Sequence, residues 1–459
     1  MAELIVSISG IRGLVGQTLT PNVAARFAAA YGTLLGRGPR GSDGILGGLV
    51  VVGRDTRPSG PDFAAAVAQG LASTGCRVIH LGIVSTPGLS VMIGELSAAG
   101  GAMITASHNP HPYNGIKFFR SDGIDLNAQQ GAQLKEIWQS GAFRSPGPDG
   151  PPPPTSDDST HARHLQRLLA IADREGIARR KFKVVLDANH GAGAVAAPQL
   201  LAQLGCETHI LGAQPDGQFE HEPEPIEENL RGLCQAVRKL GADLGLAQDP
   251  DADRLALVDE HGRCLGEEYT LALAALARLE EERGPVAANL STSRMIDDVA
   301  ARFDQQCHRT PVGELHVADR MVAERCVIGG EGNGGVIDPR VCPIRSSFVG
   351  IVHVLNLLAR RGKTLSAVAA ELPRYRMVKR KAEAPRAAIE RLLASLAAHF
   401  PEAEVDLQDG VRLDWPQGWL HVRASNTEPI YRTIGESPDA RWLERMLNKV
   451  DALATQLVK

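Results

Sequence analysis

Four short polar stretches concentrate the side chains of this 459-residue chain that could act on a small molecule. The first is Thr105-Ala106-Ser107-His108-Asn109-Pro110, directly after the apolar run Gly101–Ile104. Ser107 beside His108 sets a nucleophilic hydroxyl next to a titratable ring, although Ser, Asn and Pro also make plain turns. Downstream, Lys117 in Asn114-Gly115-Ile116-Lys117 supplies a cation able to return to the same place. The second stretch is Asp249-Pro250-Asp251-Ala252-Asp253-Arg254. Three carboxylates at alternating positions repel one another by several kcal/mol unless a cation neutralises them, and all-oxygen ligation suits Mg²⁺ or Ca²⁺. An EF-hand is excluded, because Arg254 stands where that loop needs Gly and a strand, Leu255–Val258, follows. The third, Gly330-Glu331-Gly332-Asn333-Gly334-Gly335, has the spacing of a dinucleotide fingerprint. That motif needs a helix at once and an acidic residue ~20 positions on; Pro339, Pro343 and the apolar Leu355–Ala359 provide neither. A loop presenting Glu331 to hydroxyl groups fits better. The fourth, Arg423-Ala424-Ser425-Asn426-Thr427-Glu428-Pro429, combines a guanidinium with Ser425, Asn426 and Thr427 as donors, a competent phosphate cradle, with Arg432 as a second charge.

The elements that must position these stretches show in an internal repeat. Residues 71–82 (LASTGCRVIHLG) and 201–212 (LAQLGCETHILG) share six of twelve positions at an offset of 130. Each ends a helix at a Gly and starts a short strand, and each is preceded by an apolar strand, Leu49–Gly53 or Phe182–Asp187. A fainter copy runs from Val286–Leu290 through a helix around Ser293–Phe303 to Cys307–Gly313. Strand, helix, strand, three times over, predicts three related α/β domains. From about Arg376 the pattern changes to a strand, a helix over Pro385–His399, three short strands between Glu404 and Ile434, and a last helix from Pro438. We read four domains: 1–154, 155–256, 257–370 and 371–459, the first boundary lying in the Pro- and Gly-dense stretch Ser145–Pro154.

Composition narrows the class of partner. A net charge of -4 gives no broad basic field for nucleic acid, and no run approaches the ~20 apolar residues of a membrane span. The N-terminus lacks a secretory pattern, and the seven widely spaced Cys lack a Cys-x-x-Cys pair, so reduced, mostly buried thiols and a cytoplasmic protein are expected.

Taken in order, the four stretches resemble the α-D-phosphohexomutase superfamily of phosphoglucomutases, phosphomannomutases and phosphoglucosamine mutases. The likeness runs from Gly10-Ile11-Arg12-Gly13 to the Arg423–Arg432 segment, and Thr105–Pro110 and Asp249–Arg254 are its most specific parts. The resemblance implies three related α/β domains with mixed sheets and a TATA-binding-protein-like α+β domain around a central cleft. It implies phosphorylated Ser107, and Mg²⁺ held by Asp249, Asp251, Asp253 and the phosphoserine. Glu331 and Asn333 would grip sugar hydroxyls, and Arg423, Ser425, Asn426 and Thr427 the phosphate that is not transferred. Arg12, Lys117 and Arg254 would lie near the reacting phosphoryl group, with Lys117 or His108 as general acid–base.

The reaction so implied moves a phosphoryl group between the 1- and 6-positions of glucosamine, glucose or mannose phosphate through a hexose 1,6-bisphosphate, which also serves as activator. The enzyme would be a monomer or homodimer. A metal-dependent sugar phosphatase or a non-catalytic sugar-phosphate sensor on the same scaffold are the alternatives; a phosphatase would need no separate holding site. The chain departs from common family patterns at Asn333, Gly335, Ser346 and Gln248, which leaves the preferred sugar open.

Overall fold

The computed structural model describes residues 3–36, 48–146, 153–425 and 429–458. Asn426 and Thr427, and most of the Pro-rich stretch at 147–152, lie outside the described residues. Four sheets carry the fold. The first has seven strands in the order Ile5–Val6, Gly10–Leu14, Tyr113–Phe119, Gly100–Ile104, Leu49–Arg54, Arg77–Ile83, Thr155–Ser156. Its centre is parallel and one side antiparallel, so the sheet is mixed. The second is ordered Leu255–Asp259, Leu244–Gln248, Lys183–Asp187, Glu207–Leu211, and the third Cys307–Thr310, Val286–Asn289, Ile328–Glu331, Gly335–Ile337. Both are parallel except for one antiparallel edge strand. The fourth is wholly antiparallel: Arg376–Glu383, Ile430–Ser437, Gly418–Ala424, Val411–Trp415, Glu404–Asp406. Four strands, not three, follow the helix Arg386–His399, because Glu404–Asp406 and Val411–Trp415 are separate strands broken at 407–410.

This four-domain α/β architecture with a C-terminal α+β unit is the expected one, and the pattern that produces it is plain in the strands. Leu49–Val52, Val184–Leu186 and Leu244–Leu246 are apolar runs buried on both faces, as parallel strands between helices must be. Helix starts follow local chemistry. Ser85 accepts from the Gly88 N–H, Ser346 from the Val349 N–H, and Asn127 forms a capping box with Gln130. One large apolar core runs through the second and third units and reaches the first; the C-terminal unit has its own, built around Trp415, Leu420 and Leu447. No disulfide joins the seven cysteines, but only Cys76, Cys326 and Cys342 are fully buried, fewer than expected, the other four being half-buried. No described helix is long and apolar enough to cross a membrane.

The sheets share one device that matters for function. In each of the first three, the last inner strand turns back into its antiparallel partner through one of the polar stretches: 105–112, 249–254 and 332–334. In the fourth, residues 425–429 join Gly418–Ala424 to Ile430–Ser437. Each chemical loop is thus a hairpin connection at a strand end.

Candidate active site

The loops meet in one cleft of about 1000 Å³, lined by Arg12, His108, Lys117, Arg254, Glu331, Asn333, Arg423 and Arg432 among others. Ser107 and the three aspartates lie under its floor, all nearly or fully buried. Ser107 has a left-handed backbone (φ 48°), a conformation an L-residue holds only when its surroundings impose it. The clamp is Arg57, itself 1% exposed. Its guanidinium donates to the carbonyls of Ser107 (2.7 Å), Asn109 (2.6 Å) and Tyr113 (3.1 Å), and Asp55 holds it from behind at 3.1 Å. Asp55 also accepts from Thr105 Oγ1, which in turn accepts the Ser107 N–H. Sequence reading missed this pair. Its signal was Arg54-Asp55-Thr56-Arg57, a charged run straight after an apolar strand.

The Ser107 hydroxyl donates to Asp249 Oδ2 at 3.0 Å and lies 3.3 Å from His108 Nδ1. Asp249 Oδ1 accepts from the Asp253 and Arg254 N–H groups, which fixes its rotamer. Asp251 Oδ2 accepts from Thr86 Oγ1 (2.7 Å) and from Lys117 Nζ (2.9 Å). One oxygen from each aspartate falls within 4.8 Å of the others, and Asp251 Oδ1 and Asp253 Oδ1 are buried with no hydrogen-bond partner. Buried carboxylate oxygens left so are costly, and converging oxygens of this kind fit a hard divalent cation.

Electrostatics sort the neighbours. Burial works against charge on Lys117, but Asp251 and Asp253 outweigh it and hold its ammonium above its ordinary range. Burial, reinforced by Arg254 and Arg12, pushes His108 down to about 2, leaving a neutral ring. Asp249 is raised, first by burial and then by Asp253 and Asp251. Arg12 donates to Asn109 Oδ1, and Arg254 lies 3.5 Å from Glu224 across the cleft.

Arg345 joins the aspartate loop to the third loop. Its guanidinium reaches Asp253 (2.7 Å), Glu331 (2.6 Å) and Glu314 (3.3 Å). Glu331 accepts four hydrogen bonds, from Asn289, Gly313, Arg345 and Asn333. The departures noted in the sequence all have physical reasons here. A Cβ at Gly335 would sit 2.1 Å from Arg345 Cδ, so glycine leaves the guanidinium its path. Asn333 closes its own turn through the Gly335 N–H, Ser346 caps a helix, and Gln248 donates to Ser347, which also bonds the Ala252 carbonyl.

At the far side, Arg423 and Arg432 are direct cross-strand partners, and Arg432 is paired on its other side with Lys381. All three line the cleft. Like charges set opposite one another across strands repel, so such a row signals an anion. Asp409 steadies Arg423 at 3.0 Å. Ser425 is buried at the strand end. Lys381 was missed in the sequence because its register with Arg432 is a tertiary fact.

Fold and site together define a four-domain α/β protein whose cleft sets a triad of aspartates able to hold a metal ion opposite a row of cationic side chains. The chain matches the descriptions "Phosphoglucomutase/phosphomannomutase, alpha/beta/alpha" domain I over residues 4–145, domain II over 162–262 and domain III over 266–375, and the corresponding C-terminal domain over 376–453. It is 39% identical to a phosphoglucomutase/phosphomannomutase of Thermococcus kodakarensis over 93% of each chain. It is 38% identical to a probable phosphoglucosamine mutase of Methanopyrus kandleri, over 94% of this chain and 93% of that one. A crystal structure of a Burkholderia thailandensis phosphoglucomutase/phosphomannomutase family protein superposes with a TM-score of 0.85 at 25% identity, covering 99% and 98% of the two chains. This chain belongs to the α-D-phosphohexomutase superfamily, and it is a phosphohexomutase, an isomerase.

Proposed function

We propose that this phosphohexomutase interconverts hexose 1-phosphate and hexose 6-phosphate through phosphorylated Ser107. The observation that carries the reading is the opposition, within one cleft, of the Ser107–aspartate set and the Lys381–Arg432–Arg423 row. A phosphatase needs the first alone; a mutase needs a second place to hold the phosphate that is not moving.

In the proposed cycle the sugar monophosphate docks its phosphate on Arg423 and Arg432, with Ser425, Asn426 and Thr427 as further donors. Its free hydroxyl attacks the phosphorus of phospho-Ser107 in line; the Ser107 Oγ–P bond breaks as the new O–P bond forms, giving a hexose bisphosphate. Lys117 and His108 are the groups available to move the hydroxyl proton. The bisphosphate turns end for end, and its other phosphoryl group returns to Ser107. Arg12 and Arg254 flank the reacting group, and Glu331 and Asn333 meet the ring. Asp249, Asp251 and Asp253 would hold Mg²⁺ with the phosphoserine, and the ion would neutralise charge on the transferring phosphoryl group. Free hexose 1,6-bisphosphate would restore any Ser107 that has lost its phosphate.

The names of the relatives cover glucose, mannose and glucosamine phosphates, and those three form the proposed substrate set. Ser107→Ala should cut interconversion by ~10⁴-fold or more while leaving the melting temperature unchanged. Intact mass should show one phosphate on the active wild type and none on the variant. Full activity in that variant would refute the serine, and release of inorganic phosphate in excess of isomer would favour the phosphatase.

A further inference from the structure

We propose that Ser291 is a further sugar-reading residue, and that His421 of the last sheet makes its hydroxyl a pure hydrogen-bond acceptor for a donor group on the hexose ring. This rests on the sugar-phosphate reading above.

Ser291 follows the strand Val286–Asn289 and lines the cleft. Its backbone N–H is held by Asn289 Oδ1, the amide whose Nδ2 donates to Glu331, so the two residues share one wall. His421 lies on Gly418–Ala424, two positions before Arg423, and is completely buried. Its Nε2 is 2.6 Å from the Asp409 carbonyl, and its Nδ1 is 2.9 Å from Ser291 Oγ. A carbonyl only accepts, so Nε2 must carry the proton. Burial lowers the ring to about 4, so near neutrality it holds one proton only. Nδ1 is then a bare lone pair, and the Ser291 O–H must point at it. What faces the cleft is oxygen lone pairs.

The neighbouring acceptor, Glu331, already takes four protein hydrogen bonds. Ser291 therefore offers an uncommitted acceptor on that wall, suited to a ring hydroxyl or to the ammonium of a 2-amino sugar. Because the proton goes to a histidine on the last sheet, this acceptor is complete only with that unit seated against the third.

Binding in the inactive Ser107→Ala protein separates this inference from the parent reading. Calorimetry with glucose 1-phosphate and its 2-, 3- and 4-fluoro analogues tests the sense of the bond, since fluorine accepts but never donates. Fluorination at one position should weaken binding about tenfold, and that penalty should vanish on adding Ser291→Ala. If the donor is an ammonium, glucosamine 1-phosphate instead loses about tenfold on Ser291→Ala while glucose 1-phosphate does not. His421→Phe, which frees Ser291 to turn its proton outward, should accept the fluoro sugar that the parent rejects; continued rejection would overturn the part given to His421. If Ser291→Ala changes binding of every sugar by one common factor, the inference is overturned while the sugar-phosphate reading stands. If no hexose phosphate binds, both fall.

Discussion

At Arg345, one guanidinium meets carboxylates from three segments of the chain: Asp253, Glu314 and Glu331. Removing one partner from such a buried network strands the others, at a cost of roughly 3–5 kcal/mol. Arg345→Gln should therefore melt several degrees earlier and bind sugar phosphate more weakly; an unchanged melting curve would contradict the network. Glu268 gives a second test at this scale. Its carboxylate lies against Gly332, where a Cβ would be 1.9 Å from Oε2, and burial pushes it up to about 8 against the pull of Lys379. An unfolded Glu ionises near ~4.3. Between those values the folded protein keeps a proton that the unfolded chain has released. Its contribution is full below the unfolded value and is lost as pH rises through about 8. Glu268→Gln should become more stable relative to wild type as pH is raised from about 5 to about 8.5, by a modest margin, since one side of the group faces the cleft. A difference in melting temperature that does not vary with pH would rule this out.

The loops show at the scale of elements what the sequence could and could not reveal. Ser107, Asp249, Glu331 and Arg423 were legible because each stands in a polar run after an apolar strand, and all four runs are hairpin connections. The plain-turn reading holds for all four, and it does not compete with the chemical one. The supports were not legible: Arg57 acts through a contact across 50 residues, Asp409 through an ion pair from a loop, and Lys381 through strand register. Arg57→Lys keeps the charge but loses the fork that holds two carbonyls of the serine loop. We expect turnover to fall by about 100-fold with a smaller change in KM. Lys381→Ala should do the reverse, raising KM about tenfold with little effect on kcat, and flattening the salt dependence of KM. Equal losses in kcat would place Lys381 at the chemistry instead.

Across the whole molecule the three related sheets were readable from the repeat between 71–82 and 201–212, whereas the count of strands in the last unit was not, since short alternating strands separated by tight turns merge in the sequence. The candidate metal site spans units: Ser107, Thr86 and Lys117 come from the first, the aspartates from the second, and Arg345 from the third. A cation bound there would tie them together. Chelation should abolish interconversion, Mg²⁺ should restore it, and saturating Mg²⁺ should raise the melting temperature, by about 2.7 kcal/mol of stability at a hundredfold excess over Kd. A melting temperature indifferent to Mg²⁺ would argue against these ligands.

Arg345 also bears on how such a protein can change. Laboratory selection for a new sugar preference can recruit substitutions at Asn333 or around Ser291 without disturbing Asp249 or Asp251, because Asn333 sits on a separate hairpin and Ser291 on the connection from a strand to a helix of the third unit. Glu331 lacks that freedom: any uncharged variant there withdraws a counter-charge from the residue that also steadies Asp253. Diversity recovered from such a library should therefore crowd onto the positions flanking Glu331, with that acid left standing.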